Sequence, residues 1–352
     1  MKKIIALLTV ITVLLLSQQT QAKVWRINNT AGVVADFTSG TAAIASASVQ
    51  NDDTLHFEGS ATVYSGFTLN KRLVIIGTGY FINGVSSNTG LQANLNSSNL
   101  GSGAIVFDST ASGSTIIGLD NFFFGIGPTN GSAADNITLT RCNISGIGQY
   151  YGSTANTKMT GWKINKCYIG GISFSGVNDV LQNWEVTNNI FISSITMSAI
   201  NNLNNLIRNN VFRSSIDIFS AYFSNNIFSA NGFTATNVTV KNNICIGAAP
   251  AGFAPFVGLN GNIANQTDLA TFQGLTGNSF DGQWRLKAGS AALNAGETIS
   301  TITPDCGAFG TADPYVLSGI PAIPTIYLLT VPASVASNAT TMPITISTKS
   351  NN

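Results

Sequence analysis

Six short stretches decide the reading of this chain: LTRCNI (139–144), INKCYI (164–169), VTNNIF (186–191), IRNNVF (207–212), FSNNIF (223–228) and VKNNIC (240–245). Aligned without gaps they share one order: apolar, polar, polar, Asn or Cys, variable, apolar. Their starts lie 25, 22, 21, 16 and 17 residues apart. A helical repeat keeps its period and is not dense in Asn, Gly and β-branched residues. A period that stretches at loops around a fixed core belongs to a coil of short strands.

Along a strand, alternate side chains face one side. Leu139, Ile164, Val186, Ile207, Phe223 and Val240 therefore form an inward column, which Ile137, Trp162, Trp184 and Val238 extend two residues earlier. Each side chain stacks on its equivalent about 4.8 Å along the axis. The fourth position runs Cys142, Cys167, Asn189, Asn210, Asn226, Asn243. An inward Asn repeated at a bend hydrogen-bonds its neighbours above and below and satisfies carbonyls that the strand ladder misses. An asparagine ladder inside the coil is expected. Cys142 and Cys167 hold its first two rungs. Their stacking is within reach of a disulfide without guaranteeing its torsion, so a disulfide and two buried thiols both stay open.

The outward column Thr138, Lys163, Glu185, Leu206, Tyr222 and Thr239 sets Lys163 beside Glu185, an exposed pair worth under about 1 kcal/mol. Arg141 and Lys166 stack as like charges and are expected to splay into solvent, with a small anion-tolerant spot as the competing reading. Upstream, Thr54-Leu55-His56-Phe57, Phe67-Thr68-Leu69 and Leu73-Val74-Ile75-Ile76 read as the first coils, and 105–107, 114–119 and 121–124 resume them after a polar excursion over 83–103. The Ala-rich stretch 39–49, with Ser39 or Thr41 as its cap, is expected to form a short helix that closes the open end of the solenoid.

The opening MKKIIALLTVITVLLLSQQTQA (1–22) has two lysines, an apolar run from Ile4 to Leu16 and small residues before a cleavage point after Ala22. It reads as a bacterial secretory signal, because the apolar run falls short of the roughly 18–20 residues that span a bilayer. No transmembrane segment is expected after cleavage. Only 9% of the chain is charged, against about 25% in an ordinary domain. Without Lys2 and Lys3, 14 basic side chains face 15 acidic ones. Such a balance excludes a nucleic-acid partner and a charge-driven disordered chain. Four Cys in so long a chain make no disulfide scaffold, and no C-x-x-C or Cys/His cluster points to a metal or other cofactor.

The stretch 53–81 and the NNIF-type rungs resemble right-handed parallel β-helix proteins of the pectate-lyase-like superfold. WRLKAGSAALNAG (284–296) followed by DCGAFG (305–310) is similar to the ending of secreted bacterial β-helix proteins known as the choice-of-anchor Q module, with Ala291 where a Pro is usual. The resemblance implies an all-β, right-handed parallel β-helix over 23–310. Its cap lies at about 23–50, its ladder rungs over 137–246 and its closing module over 278–310. The tail 311–352 is expected to be an extended, edge-lying β-strand appendage.

Enzymes on this scaffold need several charged groups converging on one outer face. Here Asp108, Asp120, Asp135, Asp179, Glu185 and Asp217 are scattered in register, and the one acidic doublet, Asp52-Asp53, sits in a turn. The sole histidine, His56, alternates outward between Leu55 and Phe57 with no partner nearby in sequence. Arg208, Arg213 and Asp217 are the catalytic candidates, Arg to neutralise a uronate and Asp217 to act as base; ion pairs on a bend are the competing reading. Tyr150, Tyr151 and Tyr222 could stack on sugar rings. The expectation is an exported, non-catalytic solenoid at the bacterial cell surface or exterior, structural, adhesive or contacting a polysaccharide or cell-surface glycan. The alternative is a polysaccharide lyase or glycoside hydrolase with an unfamiliar site. A third class, ice or crystal-surface binding, needs Thr-x-Thr pairs in register, which Thr138-Leu139-Thr140 and Val238-Thr239-Val240 do not make.

Overall fold

The computed structural model describes residues 22–83, 96–126, 133–149, 158–175, 179–199 and 201–350. Residues 1–21, which hold most of the expected leader, the middle of the 83–103 excursion and the pair Tyr150-Tyr151 lie outside the described residues. The rest is a parallel β-helix. Its first sheet has ten strands, from Val24–Ile27 through Thr138–Thr140 and Asn205–Arg208 to Thr239–Lys241, each paired in parallel with the strand one coil away. A second sheet of fourteen strands bends around the other two sides of the coil. The two sides meet in the long strand Asn143–Gln149, which pairs with Tyr168–Ile169 near its start and with Ile172–Phe174 near its end.

The inward column stacks in the expected register, Leu139 on Ile164, Val186, Ile207, Phe223 and Val240 in turn. These side chains are buried. Trp162 and Trp184 stack with ring centroids 4.8 Å apart and planes 4° from parallel. Their indole N–H groups donate to Ala134 O and Met159 O at 2.7 and 3.2 Å, so neither buried donor is left open.

The ladder forms and gains a rung. Asn210 Oδ1 accepts from Asn189 N at 2.9 Å, Asn226 Oδ1 from Asn210 N at 2.9 Å, Asn243 Oδ1 from Asn226 N at 3.0 Å, and Asn262 Oδ1 from Asn243 N at 3.0 Å. The side-chain amides donate backwards to Ile164, Val186, Ile207, Phe223 and Val240 carbonyls. Cys142 and Cys167 are free, buried thiols at the head of the ladder, with Cys142 N donating to Cys167 Sγ at 3.4 Å.

The residue just before each rung explains the bend. Arg141, Lys166, Asn188, Asn209, Asn225 and Asn242 all have φ between 53° and 57°. So do the residues five positions earlier, Asn136, Asn183, Asn204, Ser220 and Asn237, with Gly161 filling the same role at φ 72°. Asn tolerates this left-handed region better than other side chains. Two left-handed corners thus bracket each strand of the first sheet from the fifth rung on, and the doubled Asn splits the labour: the first turns the chain, the second fills the interior.

The N-terminal helix is Gly40–Ala45, capped by Ser39, whose Oγ accepts from Ala42 N at 3.2 Å; it buries Ala43 and Ile44. The last strand stacked on the coil is Ile263–Gln266, and the chain beyond it turns back to cover the coil. One expectation needs correction. The tail is not laid along a sheet edge. Thr325–Thr330 and Thr345–Lys349 pair with each other as an antiparallel hairpin, because the prolines that keep it out of a sheet interior lie in the link between its strands.

Replacing Asn210 by Ala removes the acceptor of Asn189 N–H and the donor to Val186 O. At roughly 1–3 kcal/mol per buried unpaired group, the variant should lose about 3 kcal/mol in urea unfolding. A loss under about 0.5 kcal/mol, the range of a neutral surface change, would remove the ladder from the list of stabilising features.

Candidate functional site

The three catalytic candidates lie on different sides of the coil. Arg208, at the end of a first-sheet strand, donates to Ser224 Oγ and to Glu297 Oε2, both at 2.8 Å. Arg213, beyond the strand Val211–Phe212, makes a bidentate pair with Asp268 at 2.7 Å, its guanidinium 4.5 Å from the Trp284 ring centroid. Asp217 belongs to the third side, in register between Thr196 and Thr234. The two arginines therefore tie later parts of the chain to the coil, and no acid–base pair forms among the three.

Those later parts answer a column that the sequence reading passes over as variable. Tyr168, Ile190, Val211, Ile227 and Ile244 point outward from the second side, in register. They pack with Phe272, Ala292, Cys306, Ala308 and Tyr315 in a second apolar core outside the coil. The returning chain then runs back along the corner, held by the left-handed asparagines. Asn242 Nδ2 donates to Ala295 O, Asn209 Nδ2 to Asp305 O and Asn188 Nδ2 to Ala308 O, each at 3.0 Å, and Asn225 Oδ1 accepts from Glu297 N at 2.8 Å. Lys166 pairs with Asp313, and Arg141 donates to Ile320 O at 2.7 Å. The expectation that Arg141 and Lys166 splay into solvent is therefore wrong: Lys166 is buried under this segment. Lys163 and Glu185 do form the exposed pair, at 3.6 Å.

Glu297 gathers the densest polar cluster on the first sheet. Its carboxylate accepts from Arg208, from Lys241 at 2.9 Å and from Tyr222 at 2.8 and 2.9 Å. Burial alone would raise its pKa, but the Lys241 and Tyr222 hydrogen bonds hold it below the usual carboxylate value. Burial and the adjacent carboxylate raise the Tyr222 phenol. A saturated carboxylate and an undissociated phenol make a tie, not an acid–base pair. Three thiols are held away from the nucleophilic thiolate as well, since burial pushes Cys245 up to about 11 and Cys167 and Cys306 upward. Among the described residues no group of three or more His, Cys, Asp or Glu side chains is arranged to hold a metal ion, and no helix is long and apolar enough to cross a membrane. Asp53 is structural: burial would raise its carboxyl, but donors from Lys23 N, Gln50 N and Trp25 Nε1 at 2.8–2.9 Å keep it low.

Several concave surfaces remain among the described residues, and one, of about 630 Å³, lies between the N-terminal helix and the strand Phe67–Leu69. Two others bear on function. One is an open groove of about 420 Å³ across the second and third sides, lined by Phe123, Ser145, Ser173, Ser175, Ser193, Ser194, four glycines and buried Asp179, with no Lys or Arg among the described lining residues. Phe123 lies against the backbone of Gly146, where an added Cβ would come within 3.2 Å of the ring. Ser173 continues in register to Thr196, Asp217 and Thr234, an uncharged hydroxyl row interrupted by one carboxylate. The other is a cavity of about 570 Å³ between the first rungs and the tail, lined by Asn28, His56, Glu58 and Thr78 on one side and by Pro321, Ile323, Pro324, Ile326 and Leu329 on the other.

His56 pairs in register with Arg26 and Ile76. Burial holds the imidazole below its ordinary value, and Arg26 adds to this against an opposing pull from Glu58. Since the folded pKa is depressed, the unfolded chain takes up this proton first. The His56 contribution is complete above about pH 6.5 and is lost as the pH falls through the folded value. Thermal melts between pH 4 and 8 should show wild type losing more stability below about pH 6.5 than His56→Asn; parallel curves would disprove the assignment. Gly307 supplies a second check on the returning chain. At φ 86°, with an added Cβ only 2.8 Å from Ile227 Cδ1, Gly307→Ala should cost about 1–3 kcal/mol in urea unfolding.

A scan of the chain against protein-family models finds no match, and a search of curated proteins finds none.

Proposed function

We propose that this protein is an exported, non-catalytic β-solenoid of the bacterial cell surface or exterior that contacts glycan through its outer faces. The observation that carries the reading is the open groove beside Phe123. An aromatic face, serine hydroxyls and a glycine floor suit a sugar, which presents C–H bonds on one face and hydroxyls at its rim. The leader-like residues 1–22 and the low charge of the chain support export and an uncharged ligand. The endings WRLKAGSAALNAG and DCGAFG support placing the chain among choice-of-anchor Q-like secreted β-helix proteins of the pectate-lyase-like superfold.

The lyase or hydrolase reading is favoured most by the Glu297 cluster, where a carboxylate, two cations and a phenol meet. Every one of those groups is already engaged within the chain, which favours the non-catalytic reading. Incubation of the purified protein with a panel of neutral and uronic-acid glycans, with and without calcium, should give binding without chain shortening. Cleavage of any member would end the non-catalytic reading, and the absence of binding to all of them would end the glycan reading.

A further inference from the structure

The cavity beside His56 is built from two parts of the chain that are far apart in sequence. Residues 28–78 of the first rungs give it a polar wall and residues 321–329 of the tail give it an apolar one. Its size lies within the roughly 300–1,000 Å³ of small-molecule sites, and an apolar wall facing a few fixed polar groups is their usual lining.

The charges on the polar wall cancel. Glu58 accepts from Arg26 Nε at 2.5 Å and from Asn28 Nδ2 at 2.8 Å, so its carboxylate already has its cation. His56 makes no hydrogen bond to any described residue, and neither ring nitrogen is sealed from solvent. A neutral imidazole offers one donor and one acceptor. Opposite it, Ile326 and Leu329 remain 44% and 49% exposed although they face the cavity. The hairpin to which they belong has only two strands, too few to be stable in water without a packed face. Molecules that filled the space would cover these side chains and fasten the hairpin to the coil.

We infer that this cavity is a binding site for an uncharged amphipathic small molecule, its polar edge hydrogen-bonded to His56 and its apolar body laid against Pro321, Ile323, Pro324, Ile326 and Leu329. A charged ligand gains nothing from a wall whose ion pair is internally balanced and pays the full cost of leaving water. The site is separate from the glycan groove and does not depend on it.

The probe is N-phenyl-1-naphthylamine, an uncharged dye that fluoresces on leaving water, titrated into the full-length protein. Because His56 is the only histidine, its imidazole C–H resonances report the site without assignment. One dye should bind per chain, with the fluorescence and the imidazole shift reaching half-saturation together. Leu329→Glu, which puts a charge in the apolar wall, should weaken binding at least about tenfold, while Leu328→Glu, on the opposite face of the same strand and outside the cavity lining, should change it less than about twofold. Circular dichroism of each variant checks that it folds. No fluorescence gain, a gain with unmoved imidazole resonances, or equal losses in the two variants would each overturn the inference. The last result would place the dye on the hairpin surface.

Discussion

Turning a chain at a fixed place in every coil leaves a buried backbone N–H and C=O that no neighbouring strand reaches, and the molecule is organised around meeting that need. A side-chain amide is the group that does so without carrying charge, because it donates and accepts at once. Asn is also the residue that adopts the left-handed backbone of the preceding corner at small cost. Two adjacent asparagines therefore solve both halves of one problem, and Asn188-Asn189, Asn209-Asn210, Asn225-Asn226 and Asn242-Asn243 do so in four consecutive rungs. Where Arg141-Cys142 and Lys166-Cys167 stand instead, the corner is still left-handed and the thiols make the same kind of contacts at longer range, Cys142 N donating to Cys167 Sγ at 3.4 Å and Cys142 Sγ to Ile116 O at 3.6 Å.

The interior was legible in the sequence because its chemistry recurs. Inward apolar positions and the ladder repeat within a fixed six-residue frame, so even a drifting period does not hide them. What escaped was the exterior of the second side. Ile190, Val211, Ile227 and Ile244 sit next to inward residues and, in a soluble solenoid, read as ordinary surface variation. That they form an apolar column needing a cover is visible only when the fifth position is tracked as closely as the fourth. The partners of Arg208, Arg213, Lys166 and Arg141 were hidden for the same reason. Each lies between 55 and 179 residues away in sequence, and no periodicity carries information over that distance. The His56 cavity was equally out of reach, since alternation could turn the ring outward but could not say that the tail comes to rest over it.

The outward chemistry separates by side. On the first sheet Arg208 and Lys241 hold the returning chain through Glu297. The second side is covered. The region around Phe123 and the hydroxyl row leading to Thr234 combine exposure with a constant register, which is why the glycan reading is placed there and not at the more strongly charged cluster.

The returning chain also changes how the rod bears load. In a stack whose units touch only their neighbours, the last turn can peel off alone and the next can follow. Here the segment from Ala295 to Ile320 is tied to Asn242, Asn225, Asn209, Asn188, Lys166 and Arg141 in reverse order, like a belt buckled at successive turns. Fraying at the C-terminal end of the coil must unfasten a piece of chain that also holds the turns from Arg141 to Asn242, so these repeats are sewn into a single mechanical unit.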